Sequence, residues 1–102
     1  LLLRDLAEEC IDIPGLGAGF VPDILCRSEL DDLVSVTDRD ASAGVRALAR
    51  EEGLLLGPAS GAVIHAARHL AQQAQHAGQL MVAVLPDRAD RYLEHQSMRQ
   101  EA

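Results

Sequence analysis

No lysine occurs anywhere in the 102 residues, and all nine basic residues are arginine. The chain therefore has no side-chain amine that can form an imine with a carbonyl compound. Positive charge is scarce as well. Sixteen acidic residues against nine basic ones leave a formal net charge of −7. An acidic chain without a basic stripe repels phosphate backbones, which argues against nucleic-acid binding. The same charge argues against anionic membrane surfaces. No apolar run approaches the ~20 residues needed to span a bilayer. Leu1-Leu2-Leu3 is followed by Arg4, Asp5, Glu8 and Glu9, so the opening is no signal-peptide core. No methionine starts the chain, which fits a fragment or a processed product. Cys10 and Cys26 make no disulfide framework and have no partners at metal-ligand spacing. Two reduced thiols in a cytoplasmic protein are the expectation.

A chain of this length allows one domain at most. It shows no internal repeat and no low-complexity linker. Apolar positions 3, 6, 7 and 10 give residues 1–10 a helix-like stripe. Residues 11–22 carry two prolines and three glycines and read as a loop. Residues 24–31 suit a helical turn. Residues 33–37 (LVSVT) read as a strand. Asp38 is placed to cap the helix that follows, with Ala41, Val45, Leu48, Ala49 and Glu52 on one face and Arg46 and Arg50 off it. Gly53 is a natural stop. Gly44 inside the helix costs about 1 kcal/mol against alanine.

Residues 54–56 (LLL) suit a brief buried strand. Residues 60–76 make the strongest helix, with a stripe of Val63, Ala67, Leu70 and Ala74, Ile64 and Ala71 beside it, and Gly78 after it. Residues 80–85 (LMVAVL) form a continuous apolar run, as in a strand covered on both faces. One or two helical turns follow from Asp87 to Leu93, and then a polar tail. Strands alternating with helices in this way predict an α/β fold, a parallel sheet with flanking helices and right-handed crossovers.

Three motifs carry the candidate chemistry. Gly15-Leu16-Gly17-Ala18-Gly19-Phe20 leads to Pro22, and its glycines let a backbone approach a ligand closely. A dinucleotide-binding reading needs a third glycine where Phe20 stands, and Pro22 obstructs a long helix there. A plain structural turn is the other alternative. Gly57-Pro58-Ala59-Ser60-Gly61-Ala62 precedes the strongest helix, where free N–H groups face outward. Read in isolation, Ser60 is an N-cap. Leu85-Pro86-Asp87-Arg88-Ala89-Asp90-Arg91-Tyr92-Leu93 closes the set, and there Asp87 can cap the last helix. Arg91 and Tyr92 suit a sheet edge better than chemistry. His65 and His69 are four apart on one helix face, without the H-E-x-x-H form and without a third ligand. Two exposed imidazoles are the expectation, and no metal site.

In this order the three motifs resemble the carboxyl-terminal portion of the cysteine synthase and cystathionine β-synthase family, enzymes of fold type II that use pyridoxal phosphate (PLP). The resemblance spans residues 13–93, with residues 1–12 unmatched and 94–102 a polar tail. It implies that Gly15 and Gly17 line the active site near the cofactor ring. The family's Gly-x-Ser-Ser-Gly is departed from at Ala59, where the family's first serine contacts the ring nitrogen. Ser60 retains the second serine and is a candidate substitute. Arg88, Ala89 and Asp90 depart from the third motif. The cofactor-binding candidates are thus Gly15, Gly17, Ala59 and Ser60, with no catalytic residue.

By resemblance, the complete enzyme eliminates a leaving group from an activated serine and adds a nucleophile such as sulfide or an amine. It acts on a small amino-acid substrate as a cytoplasmic homodimer. The Schiff-base lysine and the phosphate-holding loop have no counterpart here. That suggests a truncated, frameshifted or rearranged coding sequence, or an excised piece, inactive alone. A folded remnant serving as a binding or assembly module, and a Rossmann-like nucleotide-binding domain, are the rival readings.

Overall fold

The computed structural model describes residues 23–91. The expected helix stripe at 1–10, the loop bearing Gly15 and Gly17, and the tail from Tyr92 onward lie outside the described residues.

Two helices organise that stretch. The first, α1, runs Asp38–Glu52. Thr37, not Asp38, is its N-cap: the backbone there is extended and Oγ1 accepts the Asp40 N–H at 3.1 Å. Asp38 is already helical, and its charge, with that of Asp40, complements the positive end of the helix. Ala41, Gly44, Val45 and Leu48 recur at helical spacing and are the buried face. Gly53 ends the helix as expected, at φ 67°, and its N–H returns to the Leu48 carbonyl.

The second helix, α2, runs Pro58–Ala71. It begins two residues before the expected start at 60. Proline suits a first helical turn, because its φ is fixed and its missing N–H has no partner to lose. The chain then bends, and a 3₁₀ turn at Ala74–His76 replaces the expected last helical turn. Gly78, at φ 76°, follows that turn.

The helices cross at two glycines. A Cβ on Gly44 would run into the Gly61 carbonyl, and one on Gly61 would strike the Ala41 carbonyl and the Val45 side chain. The backbones therefore meet at a distance only glycine permits, and close packing offsets the cost of glycine inside a helix. Val36, Ala41 and Ala62 form the core cluster, with Val34 and Ala66 against it. The face of α2 that meets this core is thus set by its small residues. The expected stripe of Val63, Ala67 and Leu70 is only half-buried, and Ala74 lies beyond the helix. Periodicity misplaced the face because α2 is small or apolar on most sides, so size complementarity decides.

The expected parallel sheet is not formed among the described residues. Residues 33–37 form no strand although Val36 is buried, and residues 54–56 contribute one isolated antiparallel bridge, Leu56 with Arg88. Residues 80–85 pair with nothing described. A strand requires a neighbour for its N–H and C=O groups, and an apolar run requires cover on both faces. The described residues supply neither for 80–85. Short 3₁₀ turns at Arg27–Glu29 and Ala89–Arg91 stand where helical turns were expected.

Candidate functional site

The site is the start of α2. A helix start leaves N–H groups without partners inside the helix. The N-cap of α2 is Gly57, which has no side chain to accept from them. Asp87 supplies the acceptor from 28 residues along the chain. Its Oδ2 accepts the Ala59 N–H at 3.0 Å, and its Oδ1 accepts the Ser60 N–H at 2.8 Å. Carboxylate bonds of this kind are stronger than neutral ones. The expected capping roles therefore change. Ser60 is the third residue of α2 rather than its N-cap, and Asp87 caps this helix rather than the last turn.

Ser60 completes the clamp. Its hydroxyl lies 2.5 Å from Asp87 Oδ1 and 3.0 Å from the Asp87 carbonyl, and it accepts the Asp87 N–H at 3.2 Å. One hydroxyl has one proton to donate, so both of its roles are engaged by Asp87. Backbone bonds reinforce the join: Gly57 N–H to the Asp87 carbonyl at 3.1 Å, and Ala89 N–H to the Leu55 carbonyl at 3.2 Å. Gly57 must lack a side chain here, because a Cβ would run into the Asp87 carboxylate. The second and third motifs are thus one physical unit, and Ser60 and Ala59 are 0% and 1% exposed within it. The sequence did carry a sign of Asp87's role: the helix opens Gly-Pro-Ala, with no capping side chain of its own.

Elsewhere the candidates stay apart. His65 and His69 line an open groove between the helices with Gly44, Ala47 and Arg68. His65 Nε2 is 3.7 Å from the Asp40 carboxylate and half-buried, whereas His69 is exposed as expected. No cluster of three or more potential metal ligands exists among the described residues. Cys26 is exposed, and the Ser28 hydroxyl, 3.1 Å from its sulfur, holds the thiol below its ordinary pKa. No described helix is long and apolar enough to cross a membrane.

Comparison with known proteins gives this unit its context. The family described as pyridoxal-phosphate dependent enzyme matches residues 7–87. The chain belongs to that PLP-dependent family. It is 43% identical over 83 residues to N-(2-amino-2-carboxyethyl)-L-glutamate synthase of Ralstonia nicotianae, covering 81% of this chain and 24% of that protein. It is 43% identical over 82 residues to the O-acetylserine dependent cystathionine beta-synthase of Bacillus subtilis, covering 80% and 26%. Among solved structures, O-acetyl serine sulfhydrylase isoform 3 of Entamoeba histolytica superposes with a TM-score of 0.84 at 33% identity, over 88% of this chain and 27% of that one. O-ureido-L-serine synthase gives 0.79 at 40% identity, over 84% and 27%. The resemblance to cysteine synthases and cystathionine β-synthases therefore holds, and so does membership of fold type II. The chain spans about a quarter of the length of these relatives.

Taken alone, the residues present do not fit a covalent seat for PLP. No side chain among the 102 offers an amine. At the start of α2, Ala59 presents a methyl group and the Ser60 hydroxyl is buried against Asp87. Gly15 and Gly17 lie outside the described residues.

Proposed function

We propose that this chain is one wall of the cofactor pocket of a PLP-dependent, cysteine-synthase-like β-replacement enzyme. The complete enzyme replaces the leaving group of O-acetylserine, or a related activated serine, with sulfide or an amine. This chain is not catalytic alone. The observation that carries the reading is a PLP-family match over residues 7–87 in a sequence without lysine. The names of the relatives, which include an O-acetylserine-dependent enzyme and an O-ureido-L-serine synthase, support the class of substrate.

In this reading Gly15, Gly17, Ala59 and Ser60 line the pocket. The glycines and Ala59 contribute backbone, because a missing or short side chain permits close approach. Ser60 contributes through Asp87, by fixing where the turn at 57–59 sits. The apolar stretches 33–37, 54–56 and 80–85 belong to the parallel sheet of the whole assembly, a cytoplasmic homodimer acting on a small amino acid. When bound, PLP supplies an electron sink to the substrate's α-carbon. This chain's own residues hold the turn and its approach geometry, and move no proton.

Absorption spectroscopy tests the reading. The purified chain mixed with PLP and then freed of excess cofactor is expected to keep no visible imine band. A stable band would contradict it, since only the amino terminus offers an amine. Restoring the missing part is expected to bring the band back, and its continued absence in a folded complete assembly would also count against the reading.

A further inference from the structure

The open groove between α1 and α2 lies away from the clamp. Ala43, Gly44 and Ala47 of α1 form one side, and His65, Arg68 and His69 of α2 form the other. Spacing in the sequence offers two histidines four apart and no third ligand. Folding changes that. Asp40, on the facing helix, brings Oδ2 to 3.7 Å from His65 Nε2. The contact is too long for a hydrogen bond. Both side chains are more than a third exposed, so as an ion pair it contributes little. It does have the spacing of two ligands. An imidazole nitrogen and a carboxylate oxygen on one tetrahedral ion, each bound at about 2.0–2.2 Å, lie roughly 3.4 Å apart.

His69 stands one turn beyond His65 on the same helix face, where residues four apart have Cβ atoms about 5–6 Å from each other. Its ring is exposed and turns without displacing any packing. Three such groups do not yet converge among the described residues, so closing the site takes that rotation. The groove holds about 330 Å³, room for an ion with several waters at about 30 Å³ each. Charge selects a cation over an anion. Asp40 and Glu51 stand on the α1 side, against the single guanidinium of Arg68, which is drawn to Glu51 at 3.3 Å. With the imidazoles neutral, the set carries one negative charge in excess, in a chain of net charge −7. Two nitrogens and one carboxylate suit zinc and its neighbours, whereas calcium and magnesium take oxygen.

We propose that His65, His69 and Asp40 form a site for a divalent transition-metal ion of the zinc class, with water completing the coordination. The ion clips α2 to α1 beside the Gly44–Gly61 crossing. The site is independent of the proposed function, since it uses neither the start of α2 nor any residue assigned to the cofactor pocket.

The test titrates the 102-residue chain with zinc ion alone, in a Cys10→Ser, Cys26→Ser background that removes both thiols. Calorimetry is expected to show one ion per chain, and sedimentation an unchanged mass. His65→Ala, His69→Ala and Asp40→Asn are each expected to weaken binding by at least about tenfold, the loss expected from removing even an outer-shell partner. His76→Ala and His95→Ala are expected to leave it unchanged. Asp40→Asn separates a clip between the helices from a site within α2 alone, so binding indifferent to it overturns the proposal. Absence of binding heat, two chains per ion, or an equal loss in His76→Ala or His95→Ala overturns it as well. Asp40 stands in the first turn of α1, so a second measurement leaves that turn intact. By NMR of the chain with all three residues in place, zinc is expected to shift the ring nitrogens of His65 and His69 and the side-chain carboxyl carbon of Asp40. Shifts confined to other side chains, or absent at Asp40, count against the site.

Discussion

The Asp87 carboxylate accepts the backbone N–H of Ser60, and the Ser60 hydroxyl packs against that same carboxylate. The two residues are 27 apart in sequence, and their contact ties the chain after the apolar run to the start of α2. Asp87→Ala leaves the Ala59 and Ser60 N–H groups and the hydroxyl without an acceptor in a buried place. The expected cost is about 2–4 kcal/mol, a lost helix cap plus buried donors left unmade. Ser60→Ala removes less, about 1 kcal/mol. Urea denaturation followed at the helical signal checks both. The double variant is expected to cost less than the sum, with a coupling of about 1 kcal/mol. Strict additivity would mean that the clamp does not act as a unit.

The crossing of α1 and α2 yields a prediction opposite to helix propensity. Alanine exceeds glycine by about 1 kcal/mol in a helix interior. Gly61→Ala is nonetheless expected to destabilise, by about 1–3 kcal/mol or more, because its Cβ would meet the Ala41 carbonyl and Val45. Gly44→Ala should behave likewise against the Gly61 carbonyl. Thermal unfolding that shifts upward for either variant would contradict the close approach.

Thr37→Ala is expected to cost about 1 kcal/mol through loss of the bond to the Asp40 N–H. Asp38→Asn is expected to cost less, since it removes only a charge beside the positive end of α1. The same denaturation measurement ranks them. A larger loss for the Asp38 variant would return the cap to Asp38.

Cys26 gives a pH-dependent observable. The Ser28 hydroxyl stabilises the thiolate, so the fraction of reactive sulfur at neutral pH is above that of an ordinary thiol. In a Cys10→Ser background, the pH midpoint of alkylation by iodoacetamide is expected below the usual thiol value. Ser28→Ala is expected to move that midpoint upward. An unchanged midpoint would remove the hydroxyl from the account.

Much of the architecture was legible in the residues. Ala41, Val45 and Leu48 of the buried face of α1, its stop at Gly53 and the turns near 27 and 89 follow from spacing and glycine chemistry, whereas Glu52, expected on that face, is exposed and Gly44 takes a place in it. What stayed hidden depends on contacts distant in sequence. Gly57 carries no acceptor, so the cap of α2 had to come from elsewhere, and no local pattern says that it comes from Asp87. Ser60 looked like a helix cap and a cofactor candidate because its neighbours suit both, and its partner became visible only in three dimensions. The packed face of α2 eluded periodicity because a glycine and two alanines, not the large residues, meet the core. The run at 80–85 has the composition of a covered strand, and composition does not say whether the cover lies on the same chain.

The Asp87 carboxylate also settles a question of electrostatics. A helix opening is a natural berth for phosphate, with its aligned amide dipoles. In α2 that berth is taken by a resident anion, so an incoming phosphate monoester would meet repulsion there. Any phosphate held by an assembly containing this chain must be gripped at some other surface.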